Sequence, residues 1–132
     1  TSLELTPFVR RGGKLLMYHG WADQNIPPRE SVNYYNGLVK TMGPEKVGDA
    51  IRLFMVPGMG HCGGGDGPNQ FDMLAVLEHW REDGRAPSQI LASQVNGGHV
   101  SRTRPLCPYP QIAKYKGAGS IDRAENFVCA PG

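Results

Sequence analysis

Lys14-Leu15-Leu16-Met17-Tyr18 is a short apolar run held between Gly12-Gly13 and Gly20. That pattern predicts a strand buried on both faces of a parallel sheet. Gly20-Trp21-Ala22-Asp23-Gln24-Asn25 then reads as a loop at the strand's C-terminal end. Pro27-Pro28 opens a helix, because proline suits a first helical turn. Within that helix Val32, Tyr35, Leu38, Val39 and Met42 recur at helical spacing, and Gly43 stands where a C-cap belongs.

The same order repeats. Ile51-Arg52-Leu53-Phe54-Met55-Val56 is a second strand candidate, ended by Pro57-Gly58, and the glycine-rich loop Gly58-Met59-Gly60-His61-Cys62-Gly63-Gly64-Gly65 follows. Phe71, Leu74, Val76, Leu77 and Trp80 mark a second amphipathic helix that stops near Gly84. Strand, helix, strand, helix over residues 1–84 predicts an α/β unit with parallel strands. After Arg85-Ala86-Pro87, Gln89 to Val95 reads as a strand, Asn96-Gly97-Gly98 as a turn, and His99 to Arg104 as a return strand. From Pro105 onward Pro, Gly and two cysteines dominate, so residues 85–132 are expected to be a hairpin followed by an irregular tail. There is no internal repeat.

Composition narrows the classes. The net charge of +2 comes from basic residues scattered among acidic ones, which excludes a nucleic-acid footprint or a polybasic membrane patch. No apolar run approaches the roughly 20 residues of a membrane helix. Thr1-Ser2-Leu3-Glu4 has no charged start leading into an apolar stretch, so no signal peptide is read there. Gly 18 and Pro 11 exceed a fifth of the 132 residues, so loops are extensive. Cys62, Cys107 and Cys129 are an odd set. Either one has a partner outside this chain, or all three are free thiols of a cytosolic protein.

In open α/β sheets reactive groups sit in loops beyond the C-terminal ends of strands. Two such loops here carry titratable side chains, Asp23 after the first strand and His61 after the second. A carboxylate and an imidazole on neighbouring parallel strands come within hydrogen-bond reach. Asp23 then accepts a hydrogen bond from Nδ1–H and leaves Nε2 to act as a general base. Asp followed by His, each after a strand, is also the order of the last two triad members in α/β-hydrolases. The plainer readings are an Asp that closes its own turn and a His that tolerates unusual backbone angles. No serine completes the set. None of Ser2, Ser31, Ser88, Ser93, Ser101 or Ser120 sits in the G-x-S-x-G turn that a nucleophile elbow requires.

These residues carry a resemblance. Gly13 through Asp23, with Ile26-Pro27-Pro28, is similar to the acid-bearing segment of the tannase and feruloyl esterase family, and Val56 through Gly65 resembles its histidine loop. Phe71-Asp72 and Leu74 to Trp80 look like the helix after that loop. Arg102 to Pro110 and Asn126-Phe127-Val128-Cys129 resemble the family's C-terminal tail. The resemblance implies the C-terminal part of an α/β-hydrolase fold that cleaves esters of aromatic acids such as gallate or ferulate. Asp23 and His61 are then catalytic, while the serine, the oxyanion donors, the first strands and the lid belong to a Ser-bearing N-terminal part of the same precursor.

It also implies that Cys62 bonds a cysteine outside this chain, next to the catalytic serine, and that Cys107 pairs with Cys129. Disulfides place such a protein outside the cytosol, secreted or periplasmic. The other reading of Cys62 is a metal ligand beside His61. Zinc wants about four ligands, and His19 and His99 lack ligand spacing, so no metal or cofactor is assigned to this chain. The resemblance further implies a lid, outside this chain, that often carries a structural calcium. Two buried strands are too few for an independent sheet, so either close association with the N-terminal part or strand exchange within a homodimer is expected. The remaining rivals are a peptidase or another aromatic-ester hydrolase on the same fold, and a non-catalytic binding or assembly module.

Overall fold

A computed structural model of the chain describes residues 2–132. It opens with a short helix, α1 (Thr6–Arg10), and the strand β1 (Leu15–Gly20). The helices α2 (Arg29–Met42) and α3 (Pro44–Ala50) then lead into β2 (Ile51–Val56). The strands β1 and β2 pair in parallel, Leu15 opposite Ile51 through Gly20 opposite Val56, the arrangement that needs a helical crossover between them.

Side-chain alternation along β2 explains the layers. Ile51, Leu53 and Met55 point one way, toward Leu38, Met42 and Val47 at one end and Val32 at the other. Phe54 and Val56 point the opposite way, toward Met59, Ile90, Ala92 and Leu106. β2 is therefore buried on both faces, as its unbroken apolar run predicts. β1 differs from that expectation. Leu15, Leu16 and Met17 are only half-buried, and Tyr18 is exposed against the edge of Phe71, because β2 is its one strand neighbour among the described residues.

Two helices were not legible in the sequence. Gly43 ends α2 at φ +90, its N–H bonded to Val39 O, and Pro44 at once restarts the chain as α3, since proline fits a first turn. α1 also carries a proline, Pro7, in its first turn, and its N-cap Leu5 and its Val9 pack on the Leu38 cluster. After the glycine loop comes α4 (Met73–Asp83), capped by Asp72 Oδ1 on the Ala75 N–H at 3.0 Å and closed by Gly84 in the left-handed region. Its anchor is Trp80, wholly buried between Lys14 and Arg52, while Leu74 points outward.

The C-terminal region opens with β3 (Ile90–Asn96) and β4 (His99–Leu106), an antiparallel hairpin. Gly97 and Gly98 turn it with both φ angles positive, the backbone that a two-residue hairpin turn demands. The expected irregular tail is corrected here. β5 (Gln111–Tyr115) and β6 (Phe127–Pro131) form a further antiparallel pair, reached through a 3-10 turn at Ala124–Asn126. Proline hides this second ribbon in the sequence, yet Pro131 stands at its last pair, where a missing N–H breaks no inner ladder bond. A Cys107–Cys129 disulfide fastens β6 to the end of β4. Tyr109 N–H bonds Leu53 O at 2.7 Å, so the tail also docks along the free side of β2.

Candidate active site

Backbone contacts draw the two chemistry-bearing loops together first. Past the end of β1, Trp21 N–H bonds Val56 O and Ala22 N–H bonds Met59 O, each at 3.0 Å. Gly20 makes this approach feasible, because a Cβ there would lie 2.2 Å from Met59 O. The loop after β2 is pinned by Met59, whose side chain is buried in the core, and folded back by Gly60 N–H to Gly64 O. At its apex Cys62 takes φ +58, a left-handed conformation that non-glycine residues adopt only under constraint. That constraint presents His61 and Cys62 outward.

Asp23 and His61 meet. His61 Nδ1 lies 2.9 Å from Asp23 Oδ2 and 3.1 Å from Oδ1. A carboxylate accepts only, so Nδ1 carries the proton and Nε2 keeps its lone pair. The Asp23 side chain is 4% exposed and that of His61 43%, so a sheltered acid holds an accessible base. Asp23 Oδ1 also accepts the N–H groups of Asn25, at 2.8 Å, and Ile26, at 2.9 Å. Burial by itself disfavours the charged carboxylate. The donors from Ile26, His61, Asn25 and His19 outweigh it and hold the group well below the ordinary carboxylate range.

His19 has no role in the sequence reading. It is the penultimate residue of β1, four residues before Asp23, and its Nε2 lies 2.9 Å from the same Oδ2 that His61 contacts. The signal was present, since the rule that draws attention to loops beyond strand ends reaches the last strand residues too. Its Nδ1 lies 2.7 Å from Ser31 Oγ on α2, so a second Ser–His–Asp chain of contacts runs through this chain. It is turned inward: the His19 ring is 11% exposed.

Cys62 is free and exposed. Among the described residues no three His, Cys, Asp or Glu side chains gather as a metal site, and no helix is long and apolar enough to cross a membrane. Two clefts of about 330 and 280 Å³ flank His61. A wider apolar cleft of about 660 Å³, lined by Trp21, Met55, Tyr109 and Phe127, includes neither Asp23 nor His61.

Fold and site together define a mixed α/β chain that presents an acid-oriented histidine suited to general acid–base chemistry. The chain belongs to the tannase and feruloyl esterase family, whose family model matches residues 1–130. It is 50% identical to mono(2-hydroxyethyl) terephthalate hydrolase of Piscinibacter sakaiensis, over 98% of this chain and 22% of that protein. It is 39% identical to a "Probable feruloyl esterase" of Arthroderma benhamiae, over 96% of this chain and 24% of that protein. The crystal structure of feruloyl esterase B from Aspergillus oryzae superposes with a TM-score of 0.91 at 31% identity, over 98% of this chain and 29% of that one. The chain thus spans about a quarter of the length of these relatives.

Proposed function

We propose that this chain supplies the acid and the base of a serine carboxylic ester hydrolase built on the α/β-hydrolase fold. The observation that carries the reading is the 2.9 Å contact of His61 Nδ1 with Asp23, in a ring whose Nε2 has no protein partner among the described residues. A seryl hydroxyl from the N-terminal part attacks the ester carbonyl, and its proton passes to His61 Nε2 as the new C–O bond forms. The bond to the alcohol then breaks, and the alcohol leaves with that proton. Water repeats the sequence on the acyl-enzyme: one proton goes to Nε2 and on to the seryl oxygen, and the carboxylic acid departs. Asp23 holds the tautomer and stabilises the imidazolium without taking a proton itself.

The substrate class is esters of aromatic acids, since ferulate and terephthalate in the relatives' names are both aromatic carboxylates. Cys62, exposed beside His61, is the point where a disulfide ties the histidine loop to the serine-bearing turn. The Cys107–Cys129 bridge supports a place outside the cytosol. The free edge of β1 is where the N-terminal part, or a second copy, adds its strand.

The test is Asp23→Asn in the full-length enzyme. Turnover of methyl ferulate is expected to fall by about four orders of magnitude with the fold retained. A loss of only a few-fold removes Asp23 from the triad. Residues 1–132 alone are expected to show no turnover, and hydrolysis by the pure isolated chain would overturn the reading and shift attention to Ser31.

A further inference from the structure

Asp23 holds a second imidazole that the mechanism above leaves unused. His19 Nε2 lies 2.9 Å from Asp23 Oδ2 and 3.2 Å from Ile26 O. Both neighbours only accept, so Nε2 carries a proton and donates it. In the neutral ring Nδ1 is then the acceptor, and the Ser31 hydroxyl 2.7 Å away donates to it, pinning that tautomer. Oδ2 is therefore shared between two imidazole N–H groups, one from His19 at the end of β1 and one from His61 in the histidine loop.

We propose that His19 is a positioning residue, which divides the charge of Asp23 and so sets how firmly Asp23 holds the protonated His61. This rests on the acid–base reading of Asp23 and His61. An oxygen that already accepts one strong hydrogen bond is a weaker partner for the next. Without the His19 donor, the charge on Oδ2 falls on His61 alone. The imidazolium is then held more tightly, and the free base forms at higher pH. His19 works through Asp23, because its ring is sheltered and both its nitrogens are engaged.

Other titratable groups face this pair from each surrounding element. β1 supplies Tyr18, and the histidine loop supplies Cys62, which line the cleft shared by His19 and His61. Asp66 lines the second cleft beside His61. From α2 the contact is Ser31, which does not titrate in this range. None of these accepts from His19 Nε2, so the donor to Asp23 is separable from them.

The experiment is the pH profile of kcat/KM for methyl ferulate with the full-length enzyme, alongside thermal unfolding. The acid limb reports the free enzyme's base. In His19→Phe its midpoint is expected to rise by about 0.5–1 pH unit. In His19→Gln the amide N–H reaches nearly the same point as Nε2–H and is expected to restore the midpoint. A His19→Phe enzyme that loses activity equally at every pH, with its midpoint unmoved, overturns the proposal and leaves His19 a purely structural residue. If His19→Phe does not fold, His19→Asn takes its place; its amide falls short of Asp23 and must move the limb in the same direction. His61→Ala separates the two levels of argument. Full turnover in that variant removes the acid–base reading itself, whereas its loss with an unmoved His19→Phe limb removes only the role given to His19.

Discussion

Residues 2–84 and residues 85–132 hold themselves together by different means. In the first region β2 buries five of its six side chains, and α2 and α3 cover one of its faces while α4 helps to close the other. In the second region β4 is exposed over its first three residues, β5 is exposed at four of five positions, and Val95, Val100, Ile112 and Val128 stand open. Beyond Ile90, Ala92 and Leu106, which pack on β2, that region is fastened by a disulfide, by the Arg104 guanidinium 3.8 Å from the Phe127 ring centroid, and by a few backbone ties. The difference teaches where the chemistry can stand. His61 extends from β2, the most deeply buried strand, and Asp23 from its parallel neighbour β1, since acid and base must keep their separation to a fraction of an ångström.

The comparison breaks most readily at Phe54. Its side chain is fully buried where the β2 face meets Ile90, Ala92 and Leu106, so it belongs to both regions at once. Phe54→Ala is expected to destabilise the full-length protein by about 3–5 kcal/mol, through lost transfer energy and a residual cavity. The denaturant midpoint measures it. A loss below about 1 kcal/mol would mean that the shared core does not join the two halves.

The next effect is smaller and local. Cys107 and Cys129 are 22 residues apart in sequence, and losing that closure as Cys107→Ser with Cys129→Ser is expected to destabilise by about 3 kcal/mol. Hydrogen exchange should quicken at β5 and β6 while β1 and β2 stay protected. Equal loss of protection in both regions would mean that the crosslink steadies the whole chain and not the C-terminal region in particular.

Legibility followed the same division. Both parallel strands, the long helix before β2 and the helix at Trp80 could be read from apolar spacing, because burial writes itself into periodicity. α3 could not, because Gly43-Pro44 is at once a stop and a start and carries no periodic stretch of its own. β5 and β6 could not either: with Ile112 and Val128 exposed there is no buried face to set a pattern. At the site, Asp23 and His61 were legible from their places after strands, and the structure brings them together. His19 is less legible: it has no metal-ligand spacing, and Asp23 and Ser31, four and twelve residues along the chain, become its partners only in the folded protein.

The smallest effect sharpens the comparison from the charged side. Arg102 Nε lies 2.7 Å from Asp122 Oδ1, with side chains 36% and 47% exposed, and it looks like a clasp between β4 and the segment before β6. Water and salt screen such a pair, so a double-mutant cycle through Arg102→Ala and Asp122→Ala is expected to give a coupling below about 1 kcal/mol, and less in high salt. The segment has other anchors beside it: Thr103 N–H bonds Asp122 O at 3.0 Å, Arg104 Nη1 bonds Ile121 O at 2.7 Å, and Ala124 N–H bonds Thr103 Oγ1 at 2.9 Å. None of these three uses the Arg102 or Asp122 side chain, so neither truncation removes them. A coupling above about 2 kcal/mol would put Arg102–Asp122 in the class of desolvated pairs. The C-terminal region would then be held by charge as much as by its crosslink.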